Sequence, residues 1–253
     1  MRHAVMVLVA IWCWSVPASP QTAQELVEKN IQAKGGMEKI RSVKTRRVTG
    51  KVKGLRGRMA VITQTNARPD SVRQTVSLQG MTAVLAYDGS AGWQIQPFRG
   101  HKDPEWMGDD NLRDLLLAAD FDGPLVNYAE KGNTIEYLGH DTVDGDDALR
   151  LRVTLKNGDI IYYYLDPDTY LEIRKETQQI IRGSVRERVI EVGSYKRVEG
   201  VMYPFSSSEG PKDNPGAQIT TIEKIEVNVP VQDSDFAPPA SLKAGEKPES
   251  AKK

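Results

Sequence analysis

Hydrophobic and polar residues alternate most clearly in the second half of the chain. Apolar side chains occupy every second position from Leu149 to Leu155, with arginine or threonine between them. This period of two is typical of a strand with one buried and one solvated face. Asn157-Gly158 follows, a pair that favours a tight hairpin turn. Residues 160–165 therefore predict the returning strand of a hairpin.

Similar short segments, each bounded by glycine, proline, asparagine or aspartate, run through most of the chain. They predict further strands at residues 48–54, 59–65, 71–78, 82–87, 92–98, 170–178, 184–195, 201–206 and 218–229. Short strands at regular spacing with turn signals between them are typical of an antiparallel sheet, either open or closed. The polar residues 101–108 predict a loop.

Two segments have helical spacing instead. Thr22 and Glu25 form a capping box, which satisfies two backbone N–H groups at a helix start. The apolar positions that follow recur every four residues, and Gly35-Gly36 ends the helix. In residues 112–119 apolar side chains recur at the spacing of an amphipathic helix, which predicts a second helix.

The N-terminus has the pattern of a secretory signal peptide. A short polar start is followed by an apolar run at residues 4–14 and by Val16-Pro17-Ala18, which predicts cleavage after Ala18. We therefore expect residues 1–18 to be removed and the protein to be periplasmic. Cys13, the single cysteine, leaves with this segment, which excludes disulfides and thiol chemistry in the mature chain.

The remaining chain reads as one domain with a tail. Residues 19–237 carry the strand and helix patterns, and residues 238–253 change to proline, alanine, lysine, glutamate and serine. A segment with so few apolar residues predicts a disordered tail. Lysine plus arginine equals aspartate plus glutamate at 34 each, so no basic excess suggests a nucleic-acid partner.

The sequence offers little catalytic chemistry. His101 and His140 are the histidines of the predicted mature chain, and no zinc-binding helical motif is present. The run Asp144-Gly145-Asp146 is typical of a turn, since it lacks the other ligands of a calcium loop. We expect no catalytic residues, no metal and no cofactor. A hydrolase using His101 with Asp103 is the enzymatic alternative.

The apolar positions of the strands allow two interpretations. One sheet face carries many aliphatic side chains, from Leu149 to Val227. They form either an ordinary core beneath the two predicted helices or the wall of a ligand cavity in a curved sheet. A sheet commonly buries one face without any ligand, so the pattern alone leaves both interpretations open.

Several hairpin motifs, in this order, resemble those of LolA-like proteins. The helix that ends in Gly-Gly comes first, followed by meandering strands. The motifs are Tyr87-Asp88-Gly89 with Gly92-Trp93, Tyr164-Leu165-Asp166-Pro167 with Leu171-Glu172-Ile173, the segment from Tyr195 to Pro204, and Val227-Asn228-Val229-Pro230 with Asp235-Phe236. Together they cover roughly residues 22 to 237.

The resemblance implies an open antiparallel half-barrel of about eleven strands with a few covering helices. In that family the apolar concave face receives acyl chains of lipoproteins, and an arginine latches a helical lid. By resemblance, residues 112–119 would be the lid, and Arg46, Arg47 and Arg73 are the candidate arginines. We expect a monomer.

We therefore expect a non-enzymatic periplasmic carrier of acyl chains or similar amphiphiles. An inner- or outer-membrane protein is a further expected partner, and a sensor or regulatory binding module is the alternative function. The residues expected to line the ligand face are Trp93, Ile95, Leu112, Leu115, Leu116, Tyr163 and Ile173.

Overall fold

A computed structural model describes residues 21–54 and 57–242. The expected signal peptide and most of the expected C-terminal tail lie outside these residues. Three α-helices are present in the described chain. They are α1 (Ala23–Ala33), α2 (Met37–Ser42) and α3 (Asp109–Ala119).

The helix ends follow the local sequence. At the start of α1, the Thr22 hydroxyl accepts from the N–H of Glu25, and the Glu25 carboxylate accepts from the N–H of Thr22. Gly35 follows α1 with a φ of +119°, a conformation that favours glycine. A Cβ atom at Gly35 would lie 2.2 Å from the carbonyl oxygen of Gly200. This close approach fixes the end of α1 against a later turn.

Fifteen strands follow in the described chain. They are β1 (Thr45–Lys53), β2 (Met59–Ala67), β3 (Ser71–Leu78), β4 (Met81–Tyr87), β5 (Gly92–Gln96), β6 (His101–Trp106), β7 (Thr134–Val143), β8 (Asp146–Thr154), β9 (Ile160–Leu165), β10 (Glu172–Ile181), β11 (Ser184–Gly193), β12 (Lys196–Val198), β13 (Val201–Tyr203), β14 (Ser206–Pro211) and β15 (Gln218–Val227).

Thirteen of these strands form one open antiparallel sheet, and β12 and β13 form a separate hairpin. The order in the sheet is β6-β5-β4-β3-β2-β1-β15-β14-β11-β10-β9-β8-β7. The expected open half-barrel is confirmed, but the large sheet has more than the expected eleven strands. The segment predicted as a loop at residues 101–108 contains β6, and no prediction covered β7. These two strands are the edges of the sheet.

The helices pack on one face of the sheet, which we call the inner face. Leu26 and Val27 of α1 belong to the main core together with Leu151 and Tyr163 of the sheet. On the other half of the sheet, Leu112 and Leu115 of α3 pack with Val72 and Tyr87 in a second cluster. Alternating burial on β8 and β9 reflects this one-sided cover.

The C-terminal strap, residues 228–242, packs on the opposite, outer face. The indole Nε1–H of Trp93 donates a 2.8 Å hydrogen bond to the carbonyl oxygen of Phe236, and Phe236 is buried. Leu242 packs against the same cluster as Trp93. The first residues of the expected tail, 238–242, therefore belong to this strap.

None of the helices in the described residues combines the length and the apolar character needed to cross a bilayer.

Candidate functional site

An open cavity of about 630 Å³ lies on the inner face, away from α1 and α3. Its walls come from β1, β2 and β3 on one side and from β11, β14 and β15 on the other, which the pairing of β1 with β15 brings together. Its aliphatic lining consists of Val48, Val52, Ala60, Ile62, Val76, Leu78, Ile190, Val192, Ile222 and Ile225. Pockets of this volume are typical of small-ligand sites.

Strand register explains why these residues meet. Across β1, β2 and β3, Gly50 pairs with Ile62 and Ile62 pairs with Val76, so their side chains share one face. The next inward row contains Val52 and Ala60. Gly50 has no side chain, and a Cβ atom there would lie 2.4 Å from the carbonyl oxygen of Thr221. The backbone of β15 therefore fills the place that a side chain of Gly50 would take.

Polar side chains occupy one end of the cavity wall. Arg46, Gln64 and Gln74 lie there, at the end of β1 opposite to Val52. The amide of Gln74 donates to Gln64 at 3.0 Å, and the amide of Gln64 donates to Asn66 Oδ1 at 2.8 Å. The cavity thus has an aliphatic middle between two polar ends. One end is the hydrogen-bonded set at Arg46, and the other, beyond Val52, is lined by Arg58, Glu209 and Gln218.

Arg46 is the charged group at the polar end. Its guanidinium donates to Asn66 Oδ1 at 3.3 Å and lies 5.3 Å from the ring centre of Phe121 and 5.6 Å from that of Tyr203. Burial lowers the pKa of Arg46, and Tyr203 and Asp122 partly offset this effect. Of the three arginines expected as candidates to latch the lid, Arg46 lies on the inner face. Its neighbour Arg47 is on the outer face.

Asn66 links this polar end to α3. It is fully buried, and its Nδ2 donates a 2.9 Å hydrogen bond to the carbonyl oxygen of Ala118. One side chain therefore accepts from Arg46 and Gln64 and donates to the last turn of α3. The connection couples the cavity wall to the helix expected to act as a lid.

A neighbouring ion pair fixes the chain after α3. The guanidinium of Arg68 donates to both carboxylate oxygens of Asp122, at 2.6 and 2.7 Å. It also donates to the carbonyl oxygens of Ile40 and Val43. This bidentate pair therefore ties β2 to α2 and to the segment that follows α3.

A second cavity of about 500 Å³ lies beside α3 and is bordered by the β8–β9 hairpin. Leu116 and Leu117 of α3 and Ile160 of β9 contribute apolar surface to it, whereas Arg113 and Asp159 form an ion pair at 3.0 Å in its wall. Leu116, which is 41% exposed, is the expected site residue that contributes to this cavity.

The other expected site residues lie in four separate clusters. Leu112 and Leu115 are buried beneath α3, and Tyr163 belongs to the main core. Trp93 and Ile95 face outward rather than inward: Ala86 pairs with Trp93, while its neighbour Tyr87 packs inward. Ile173 also packs outward, among Val143, Ala148 and Tyr164.

A register shift explains the position of Ile173. The pairing of β10 with β9 is irregular between Glu172 and Arg174, which is the signature of a bulge that turns neighbouring side chains to the other face. Glu172 is buried as a result, and it forms an ion pair with Lys34 at 2.5 Å. On the inner face, the side chain at this point of β10 is therefore the charged Glu172 and not the aliphatic Ile173, and it contacts the end of α1.

The candidate hydrolytic pair is exposed. His101 and Asp103 both lie exposed on β6, and the Nδ1 of His101 is 3.1 Å from Glu105 Oε2. Among the described residues, no group of three or more histidine, cysteine, aspartate or glutamate side chains could hold a metal ion. The geometry of His101 gives no enclosed site for general acid–base chemistry.

Comparison with solved structures shows the fold. The chain is similar to an outer membrane lipoprotein-sorting protein domain from Vibrio parahaemolyticus, with 12% identity, a TM-score of 0.55 and coverage of 85% of this chain and 95% of the other. It is also similar to a LolA superfamily protein from Nitrosomonas europaea, with 12% identity, a TM-score of 0.56 and coverage of 86% and 98%.

A DUF1329 family protein from Desulfovibrio piger is similar to the same extent, with 12% identity, a TM-score of 0.57 and coverage of 87% and 99%. The chain therefore has the LolA-like fold over most of its length. No family model matches the sequence, and no curated protein matches it.

Proposed function

We propose that this chain, which has the LolA-like fold, is a non-enzymatic periplasmic protein that binds acyl chains or similar amphiphiles. The observation that carries the proposal is the aliphatic cavity between β1–β3 and β11–β15 on the inner face. Its lining comes from many strands, and its volume lies within the range of small-molecule sites. The signal peptide that the sequence predicts at residues 1–18 supports a periplasmic location.

Apolar burial supplies the driving force for such binding. Transfer of each methylene from water into an apolar site is favourable by about 0.8 kcal/mol. An acyl chain of a dozen or more methylenes therefore binds by burial alone, even after the cost of ordering the chain is subtracted. Reversible release then needs no chemical step, which agrees with the exposed position of His101.

Lipoproteins are the proposed source of the acyl chain. This proposal is supported by the description of the similar Vibrio parahaemolyticus domain as lipoprotein-sorting. A membrane protein that delivers or receives the lipoprotein is the corresponding partner. The second cavity beside α3 offers additional apolar surface for a ligand with more than one chain.

The test is native mass spectrometry of the mature protein purified from an expression host with membranes, followed by solvent extraction. We expect a co-purifying species that extracts as a fatty-acyl compound. Loading an emptied sample with a fluorescent acyl probe serves as the second measurement. A protein that is empty and also fails to take up the probe would contradict the proposal and favour the regulatory module.

A further inference from the structure

The positive charge of Arg46 has no carboxylate to balance it. In the described chain, no carboxylate lies within 4.0 Å of its guanidinium. The Asp122 carboxylate that influences Arg46 already binds Arg68 through both of its oxygens. Two arginines therefore share one acidic group at the polar end of the cavity.

Three other arginines in the sheet differ from Arg46 in having a carboxylate partner. Arg150, Arg152 and Arg174 each have a buried Nε without a hydrogen-bond partner, as Arg46 does. Each of those three nevertheless pairs with a carboxylate, Arg150 with Asp141 at 3.1 Å for example. A buried charge without such a partner is unfavourable unless something else balances it.

The order of residues along the cavity wall places this charge at one end of the cavity. Arg46 and Val52 lie on the same strand, about 20 Å apart at about 3.3 Å per residue. Between them the wall changes from Gln64 and Gln74 to Ile62 and Val76. A single-chain amphiphile fits this order, with its head group at the partly buried Arg46 and its alkyl chain along the aliphatic rows, toward the opposite end where the exposed Arg58 lies with Glu209 and Gln218.

We propose that Arg46 forms a head-group subsite, so that the cavity selects amphiphiles with an anionic head group, a carboxylate or a phosphate. This inference rests on the proposed function. The amides of Gln64 and Gln74 provide further donors on the same wall. A bound anion would supply the balancing charge and accept a hydrogen bond from the Nε–H of Arg46, which is buried without a partner.

The test compares ligands that share one alkyl chain and differ in the head group. Palmitate, hexadecyl phosphate and hexadecanol compete with a fluorescent acyl probe for the emptied wild-type protein. We expect palmitate or hexadecyl phosphate to bind at least about 10-fold more tightly than hexadecanol, as charge-assisted hydrogen bonds imply. The stronger of the two anions identifies the head group.

Two substitutions separate the charge from the packing. Arg46→Gln should reduce the preference for the anion to within about 2-fold and leave the affinity for hexadecanol unchanged, whereas Arg46→Lys should retain most of the preference. Arg47→Gln, on the outer face of the same strand, is the matched control and should behave as the wild type. Thermal unfolding checks that each variant is folded.

The outcomes distinguish the two proposals. Equal affinity of the wild type for all three ligands would overturn the head-group subsite and leave acyl binding intact. A preference that persists in Arg46→Gln would also overturn it. Failure of the wild type to bind any of the ligands or the probe would instead contradict the proposed function. The wild-type comparison decides the matter even where Arg46→Gln does not fold.

Discussion

The side-chain amide of Asn66 donates a 2.9 Å hydrogen bond to the carbonyl oxygen of Ala118, so that a buried residue of β2 holds the last turn of α3. The same side chain accepts hydrogen bonds from Arg46 and Gln64. The cavity wall and the helix are thus joined through one amide. A substitution of Asn66 should therefore affect both the cavity wall and the last turn of α3.

Replacement of Asn66 by alanine should lower the free energy of unfolding by about 1–3 kcal/mol, because it leaves buried groups without partners. The backbone amides in the last turn of α3 should also exchange hydrogen faster than those of α1. Chemical denaturation and hydrogen exchange measure the two effects. Thr65→Ala, at the neighbouring position on the same strand, is the control; equal effects of both substitutions would contradict the assigned role.

The ion pair between Arg68 and Asp122 should contribute strongly to stability. Asp122→Asn leaves a largely buried guanidinium without its charge partner, and we expect a loss of about 3 kcal/mol in the free energy of unfolding. Asp147→Asn, whose partner His140 is exposed, should change stability by less than about 1 kcal/mol. Similar losses of unfolding free energy in the two variants would show that the Arg68–Asp122 pair stabilises the fold no more than an exposed ion pair does.

Glu172 should make stability depend on acidic pH. Burial raises the pKa of this carboxyl, but Lys34 and Lys175 outweigh burial and hold the pKa below its ordinary value. A carboxyl whose pKa is lower in the folded state stabilises the fold above its unfolded pKa, about 4.3. That contribution is lost as the pH falls through the lower folded value.

Wild-type protein should therefore lose more stability than Glu172→Gln when the pH is lowered from about 4.3. Denaturant unfolding of both proteins over this range gives the difference in slope. The Glu172→Gln comparison removes the contributions of the other carboxyls, Asp166 among them. Identical slopes would contradict the role assigned to Glu172.

Gly35 should not tolerate a side chain. Alanine at this position combines a positive φ with a Cβ atom 2.2 Å from the carbonyl oxygen of Gly200, so we expect a loss of at least about 1 kcal/mol. Gly108→Ala is the matched control, since a Cβ atom there meets nothing within 4 Å. Thermal unfolding of both variants is the measurement, and an unchanged Gly35→Ala protein would be the contrary result.

Local signals in the sequence predicted much of the fold. The capping box at Thr22 and the turn at Asn157-Gly158 act over a few residues, and both elements are confirmed. The edge strand β7 was missed because its burial alternates between exposed and partly buried positions as far as its last residue, Val143, which is buried. The polar edge strand β6, which contains Pro104, was predicted as a loop for a similar reason.

The candidate site was harder to predict. Alternation of apolar and polar residues does not show which side of the sheet an apolar side chain faces when both sides of the sheet are covered by other parts of the chain. Trp93 is buried on the outer face by the distant residue Phe236, so its apolar character gives no direction. The bulge beside Ile173 is likewise invisible in the sequence pattern. The cavity depends on the pairing of β1 with β15, which only the folded sheet reveals.

The cavity itself is tested most directly by two neighbouring residues on β2. Ile62 lines the cavity, whereas Val61 is 46% exposed on the opposite face. The measurement is the equilibrium affinity of a fluorescent acyl probe for Ile62→Glu and Val61→Glu. Our account predicts at least about 10-fold weaker binding to folded Ile62→Glu, since a charge opposes apolar burial, and wild-type binding to Val61→Glu. Wild-type affinity in both variants would contradict it.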